Sequence, residues 1–544
     1  MTTPGTARDA ADAFHVYDTT LRDGSQREGL TLSVDDKLAV ATYLDDLGVG
    51  FIEGGWPGAN PKDAAFFRRA AEGELPLRHA QLAAFGATRK AGTVAADDPQ
   101  VRALLDAQTP VVTLVAKSHV GHVTRALRTT PEENLAMVAD TVRFLVAEGR
   151  RVFLDAEHFF DGYRLDRDYA LAVVRAAAEA GADVVALCDT NGGMLPGPLA
   201  DVVHEVAGLG MRVGIHAHND TACAVANSLA AIGAGASHVQ GTANGYGERA
   251  GNADLFSVVA ALELKLDRRV LPDGALAELV RVSHAIAEVA NIAPDDHQPW
   301  VGGSAFAHKA GLHASALKVD PDLYQHIDPA LVGNDMRVLV SELAGRASVE
   351  LKARELDIAV DRETVGRVIE RVKAMEAAGY SFEAAEASFE LLLREEVDGE
   401  RPRFFDLESY RVISENLPSD RGLPSAGSGA HVSEATVKLH VKGERLVATG
   451  EGNGPVNALD RALRQALERL HPQLASFELV DYKVRILEGA HGTGAVTRVL
   501  VRTSNGVREW DTVGVDENVI SASWQALDDA YTFGLLHSDA TRGI

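Results

Sequence analysis

Eight short apolar runs, each followed by an amphipathic run of helical spacing, predict an α/β chain built on a closed (β/α)8 barrel, the TIM-barrel class, between Phe14 and about Leu266. Two further observations support it. Several helical runs stop at a glycine just before the next apolar run, as at Leu47-Gly48, Glu148-Gly149, Ala180-Gly181 and Ile232-Gly233. Polar and ionisable residues gather after nearly every apolar run, where a barrel carries its chemistry and a purely structural one would not need them. A doubly wound open sheet is the alternative, and no G-x-G-x-x-G opens a helix after the first strand.

The strand candidates are His15–Thr19, Phe51–Glu53, His79–Phe85, Val111–Val115, Val152–Asp155, Val184–Cys188, Val213–His216 and His238–Gly241. Helical spacing marks Val34–Leu47, Ala64–Glu72, Pro131–Ala147, Asp168–Ala180, Leu199–Ala207 and Ala222–Ile232. Ala275–Ala290 extends the helical pattern, and residues from about 305 to 417 read as mainly helical. The stretch from Leu417 to Gly429, rich in Pro, Gly and Ser, reads as a linker. Beyond it, strand, Lys442-Gly443 turn, strand and helix recur as strand, Asn505-Gly506 turn, strand and helix, roughly 60 residues on. The expected division is a disordered tail over 1–12, a barrel domain over 13–285, helical connector subdomains over 286–416, a linker over 417–431 and an α+β regulatory or dimerisation domain over 432–544.

Composition narrows the partners. A 46% hydrophobic and 24% charged chain is ordinary for a globular protein, and its formal charge of −25 disfavours nucleic acid and anionic membranes. No apolar run is long enough to span a bilayer, and Met1 to Asp12 lack a signal pattern. Two cysteines, Cys188 and Cys223, imply no disulfide framework and fit a cytoplasmic, reducing compartment. Cys188 sits in an apolar strand and reads as core.

The most informative stretch is His216-Ala217-His218 at the end of the seventh strand. Side chains alternate along a strand, so both imidazoles face the same way, as metal ligands or as a satisfied structural pair. Barrel closure makes strands seven, eight and one neighbours, which lets Asp23 and Asn252 converge on the same point. Mixed N and O donors suit Mn²⁺, Mg²⁺ or Zn²⁺ and do not separate them.

These stretches carry a resemblance. Tyr17 to Gln26 (YDTTLRDGSQ), Gly214 to Asp220 (GIHAHND), Gly245 to Asn252 (GYGERAGN) and Ala305 to His313 (AFAHKAGLH) resemble the Claisen-condensing synthases of the barrel metallolyase superfamily, which form 2-isopropylmalate, homocitrate or citramalate. Glu53 to Gly58, Asp155 to Tyr163 and Asp295 to Pro299 resemble the citramalate-forming branch, and the likeness covers almost the whole chain. The resemblance implies an acyltransferase that condenses acetyl-CoA with pyruvate on a divalent metal held by Asp23, His216, His218 and Asn252. It implies that Arg22 stabilises the developing oxyanion, that Gln26 and Thr190 help hold the keto acid, and that Glu157, His313 and Tyr324 remove the methyl proton, with His308 a second candidate. It also implies a homodimer and an isoleucine- or leucine-sensing C-terminal domain. A 2-isopropylmalate or homocitrate synthase is the alternative, since one methyl group in the keto acid pocket is worth only about 1–3 kcal/mol. Lys117 and His119 could touch the phosphates of CoA or lie in a solvated loop, and Gly54-Gly55 and Gly192-Gly193 read as loop glycines.

Overall fold

The structure, a computed structural model, describes residues 13–341, 345–416, 431–487 and 494–538. The expected tail over 1–12 and the linker residues 417–430 lie outside the described residues. The chain forms two compact units. One runs to Phe306 and takes in Ile327–Asp335; the other holds Ala307–His326 and the chain from Met336 onward.

The first unit contains the expected closed parallel barrel, with strands in sequence order: β1 His15–Asp18, β2 Phe51–Gly55, β3 Gln81–Ala87, β4 Val111–Lys117, β5 Arg151–Glu157, β6 Val184–Asp189, β7 Val213–Ala217 and β8 His238–Gly241. Closure pairs Tyr17 with Gln240 and Asp18 with Gly241, bringing β1 beside β8. The helices Val34–Leu47 and Pro131–Ala147 have the bounds that apolar spacing predicts. Local chemistry fixes these ends: Ser33 and Asp36 form a capping box, Thr130 caps Glu133 N–H ahead of a proline at the first turn, and Gly48 closes the first helix in the left-handed region. Helices Pro99–Asp106 and Leu255–Lys265 were not legible in the pattern. The first is short, and the second is buried on nearly all faces and so has no polar stripe to give it a period.

Gly54 and Gly55 belong to the end of β2, not to a loop. A Cβ on Gly54 would lie 2.4 Å from the Phe66 ring, and one on Gly55, which has φ of +140°, would lie 2.4 Å from the Asp63 carboxyl carbon. The helix Pro61–Arg69 therefore packs directly on these two glycines. Inside the barrel, Tyr17, Phe51, Ala83, Val111, Phe153 and Val184 form an apolar cluster, with the buried pair His15 and His238 packed against its rings. One residue pair further along the strands the interior is polar, with Glu53, Thr113, Asp155 and Gln240 all buried. This row is the floor of the site.

In the second unit, helices Gly311–Leu317, Arg346–Glu355, Arg362–Ala377 and Glu386–Asp398 make the expected mainly helical stretch. Its last part differs from expectation. Asp406–Asn416, counted by pattern with the helical connector, is a strand paired antiparallel with His431–Val441, which pairs in turn with Glu444–Gly452. A second three-stranded sheet joins Glu478–Ile486, Thr497–Ser504 and Glu509–Asp516. Each sheet is covered by a following helix, Pro455–Glu468 or Val519–Ser538, so the repeat legible in the sequence is a strand longer than it looked. Lys442 and Gly443 both have positive φ, the signature of a tight hairpin whose twist matches its strands. Gly450 and Gly514 occupy equivalent places: a Cβ there would come within 2.4 Å of the Ala462 nitrogen and 1.9 Å of the Ala522 carbonyl oxygen, respectively. No helix among the described residues is long and apolar enough to cross a membrane.

Candidate active site

The strand ends of the barrel converge on one cavity of about 690 Å³. Its wall includes Arg22, Asp23, Gln26, Glu157, Thr190, His216 and His218, seven residues that the sequence singled out. At its centre Asp23 Oδ2 lies 3.0 Å from His216 Nε2 and 3.5 Å from His218 Nε2, and the two imidazole Nε2 atoms are 3.1 Å apart. Among the described residues this trio is the one group of three or more His, Cys, Asp or Glu side chains close enough to share a cation. All three are buried, with 4% exposure each. Burial alone would push the Asp23 carboxyl up; the Arg22 charge and the two imidazoles outweigh it and hold it well below the usual carboxylate range.

Asn252 supplies the test of fit. It is paired with His218 in an isolated antiparallel bridge, and its Nδ2 donates to the Tyr246 carbonyl at 3.0 Å. Its Oδ1 is buried without a hydrogen-bond partner. The Asn252 backbone lies beside that of His218, which makes this orphaned oxygen a candidate fourth donor to the Asp–His–His cluster, because burying such an oxygen unsatisfied is costly. The glycines of the Gly245–Asn252 loop make this approach possible: a Cβ on Gly247 would lie 2.3 Å from Asn252 Nδ2. The donor set therefore fits a divalent metal.

Arg22 stands beside this cluster. Its Nε donates to Glu53 Oε2 at 2.6 Å, its Nη1 lies 3.7 Å from Asp23 and its Nη2 lies 3.9 Å from Asp155. Its guanidinium plane sits 3.8 Å over the Phe85 ring. Burial opposes the charge, and Glu53, Asp23 and Asp155 together more than restore it, so Arg22 is a fixed cation. Glu53 is fully buried and accepts three hydrogen bonds, from Tyr17 Oη, Thr19 Oγ1 and Arg22 Nε, each at 2.6 Å. Thr190 Oγ1 accepts the His158 backbone N–H at 2.8 Å, which leaves its own hydroxyl hydrogen to donate. Glu157 pairs with Lys117, its register partner on β4, and both line the cavity. Gln26 is exposed at the rim. Trp56 forms the far wall, edge-on to Phe85 at 5.3 Å, with its Nε1–H on Gln100.

His313 and Tyr324 lie in the second unit, where their rings are 4.2 Å apart. His308 is 6.2 Å from His313, edge-on. Cys188 is buried as expected, yet it also lines the cavity, and burial pushes its thiol up. His119 caps its own turn, accepting the Gly121 N–H, and takes no part in the cavity wall.

Comparison with known proteins now bears on this geometry. The chain matches the HMGL-like family model over residues 13–286, the homocitrate synthase post-HMGL domain-like model over 300–379 and the LeuA allosteric (dimerisation) domain model over 383–535. It is 67% identical over 530 residues to an (R)-citramalate synthase of Streptomyces coelicolor, covering 97% of both chains. The chain belongs to the (R)-citramalate synthase family. Relatives of the same name are 50% identical in Synechocystis sp., over 96% of each chain, and 48% identical in Aquifex aeolicus, over 98% of this chain and all of that one.

Within the frame of that family, sequence reasoning assigned no role to three residues of the floor, Glu53, Asp155 and Gln240, although Glu53 and Asp155 stand in stretches that carry the resemblance. Asp155 shares β5 with Arg151 and Glu157, and Gln240 shares β8 with His238; strand alternation that places each of the three inward was the available signal.

Proposed function

We propose that this chain, an acyltransferase of the (R)-citramalate synthase family, condenses acetyl-CoA with pyruvate and hydrolyses the product thioester to (R)-citramalate and CoA. The observation that carries the proposal is Arg22, a fixed guanidinium set against a buried Asp–His–His cluster in a cavity that opens at the strand ends. Asp23, His216, His218 and Asn252 would hold a divalent cation, Mn²⁺, Mg²⁺ or Zn²⁺. A cation bound there supplies Lewis-acid polarisation and a two-point hold for a 2-keto acid.

The chain's own groups do the rest. Thr190 donates its hydroxyl hydrogen to the pyruvate carboxylate, with Gln26 at the rim. A base takes a proton from the acetyl methyl group, and the carbanion formed attacks the keto carbon. The electron pair of the carbonyl moves to its oxygen, and Arg22 donates hydrogen bonds to that oxygen as it becomes negative. Glu157 on the cavity wall is assigned the proton removal, the role that the resemblance also implies for His313 and Tyr324. Water then cleaves the thioester and releases the CoA thiol. Ligation of His218 through Nε2 requires its ring hydrogen on Nδ1, so Arg249, whose Nη2 lies 2.8 Å from that atom, would keep its bonds to Asp220 and the Thr190 carbonyl and give up this one. The match to the LeuA allosteric (dimerisation) domain supports a homodimer under allosteric control; isoleucine or leucine as the effector, and a cytoplasmic route to isoleucine, are part of the same proposal.

Release of free thiol from acetyl-CoA, measured with a panel of 2-keto acids and added Mn²⁺ or Mg²⁺, tests the reading. Pyruvate is expected to give the highest kcat/KM. Turnover on 2-ketoisovalerate or 2-ketoglutarate without turnover on pyruvate would refute it in favour of 2-isopropylmalate or homocitrate formation.

A further inference from the structure

A polar path leaves the back of the His216 ring, and the reaction above makes no use of it. His216 turns Nε2 toward Asp23 and places Nδ1 2.7 Å from Gln240 Oε1. Gln240 Nε2 donates to Asp155 Oδ1, also at 2.7 Å. The two ends are tied by the fold: His216 and Gln240 are register partners on β7 and β8, and Asp155 reaches them across the barrel from β5. Gln240 is fully buried, and Asp155 is 3% exposed, so water does not compete for these bonds.

A glutamine amide can be turned over, and here the choice has a physical answer. A carboxylate only accepts, so the NH2 end must face Asp155 and the carbonyl end must face His216. A carbonyl also only accepts, so Nδ1 of His216 must carry the hydrogen. The hydrogen on Nδ1 leaves the Nε2 lone pair as the one that the ring offers to the cluster. Asp155 is itself anchored beside Arg22, at 3.9 Å, so the same carboxylate faces the ligand histidine through Gln240 and the oxyanion arginine directly.

We propose that Gln240, oriented by Asp155, is a positioning residue that locks His216 in its Nδ1–H tautomer and thereby sets the affinity of the Asp23–His216–His218–Asn252 site for a divalent cation. The proposal rests on the metal reading of that site. It assigns Gln240 no contact with substrate.

The test is a Mn²⁺ titration of the full-length chain at pH 8, followed by the electron paramagnetic resonance signal of free Mn²⁺ and so independent of turnover. Q240M keeps the length of the side chain and removes both hydrogen bonds; its affinity is expected to fall by about 10–100-fold, the usual effect of removing such a partner of a ligand histidine. Q240E keeps an acceptor for Nδ1–H, with one shared proton between its carboxyl and that of Asp155, and is expected to bind Mn²⁺ within about threefold of the parent. A Q240M affinity equal to the parent's overturns the proposal. So does a tenfold loss in Q240E, and that arm decides the matter if Q240M does not fold. If the parent chain binds Mn²⁺ no more tightly than H218A does, the metal reading fails, and the role of Gln240 is refuted with it.

Discussion

Replacing Glu53 by Gln keeps the shape of the side chain and removes its charge at the point where the barrel floor holds Arg22. The carboxylate has no exposed surface and accepts from Tyr17, Thr19 and Arg22, all at 2.6 Å. Its bond to Arg22 is charge-assisted, a class worth about 1.5–3 kcal/mol. An amide in its place can turn its NH2 group toward Tyr17 Oη, whose hydroxyl then donates to Thr113 Oγ1 at 2.7 Å. Arg22 does not become an uncompensated charge, because Asp23 and Asp155 lie within 3.9 Å and the Phe85 ring covers one face. The stability loss is therefore expected at about 1.5–3 kcal/mol, that of the charge-assisted bond alone. The guanidinium loses its aim, and a displacement of the order of 1 Å costs about 100-fold in rate. Glu53 touches no member of the metal cluster and reaches Asp23 only through Arg22, 3.7 Å away, so Mn²⁺ affinity is expected to change by less than the rate does. Urea unfolding of the parent and E53Q, thiol release with pyruvate, and Mn²⁺ titration measure the three quantities. A variant with parental stability and a kcat within threefold would refute the view that Glu53 sets the direction of Arg22.

Four more outcomes follow from the same geometry. H218A is expected to lose Mn²⁺ binding and thiol release together, and activity retained without added metal would argue against the cluster as the site. Burial pushes the Asp18 carboxyl up to about 7, above its ordinary value near 3.8, so folding takes up a proton and stability falls as pH rises from about 4 to about 7. D18N, which can still bond Thr20, should therefore gain on the parent across that window by on the order of 4 kcal/mol at most; equal thermal midpoints at pH 4 and pH 8 would contradict this. G514A forces a methyl group against the Ala522 carbonyl and is expected to destabilise the C-terminal sheet by about 1–3 kcal/mol, read as a lowered melting transition with thiol release unchanged. A chain ended before Phe404, ahead of the strand Asp406–Asn416, is expected to retain thiol release and lose inhibition by isoleucine or leucine; unchanged inhibition would move the effector site elsewhere.

Much of this protein is written locally. The period of apolar residues, the caps at Ser33 and Thr130 and the glycine stops are short-range signals, and a barrel built of consecutive strand–helix units has neighbours in sequence that are neighbours in space. The two-residue period alone places His216 and His218 on one face, and barrel closure alone brings β1, with Asp23 after it, beside β8. Tertiary structure decided the rest, because the deciding contacts span long sequence separations. Glu53, Asp155 and Gln240 are strand residues with no assigned partner until register sets them beside Arg22 and His216. The orphaned Oδ1 of Asn252 exists only once its loop has folded over β7. The strand Asp406–Asn416 reads like connector because nothing near it in sequence reveals the partner at His431–Val441. Which atoms surround a side chain is a property of the closed barrel, and the sequence by itself could determine only which way that side chain would point.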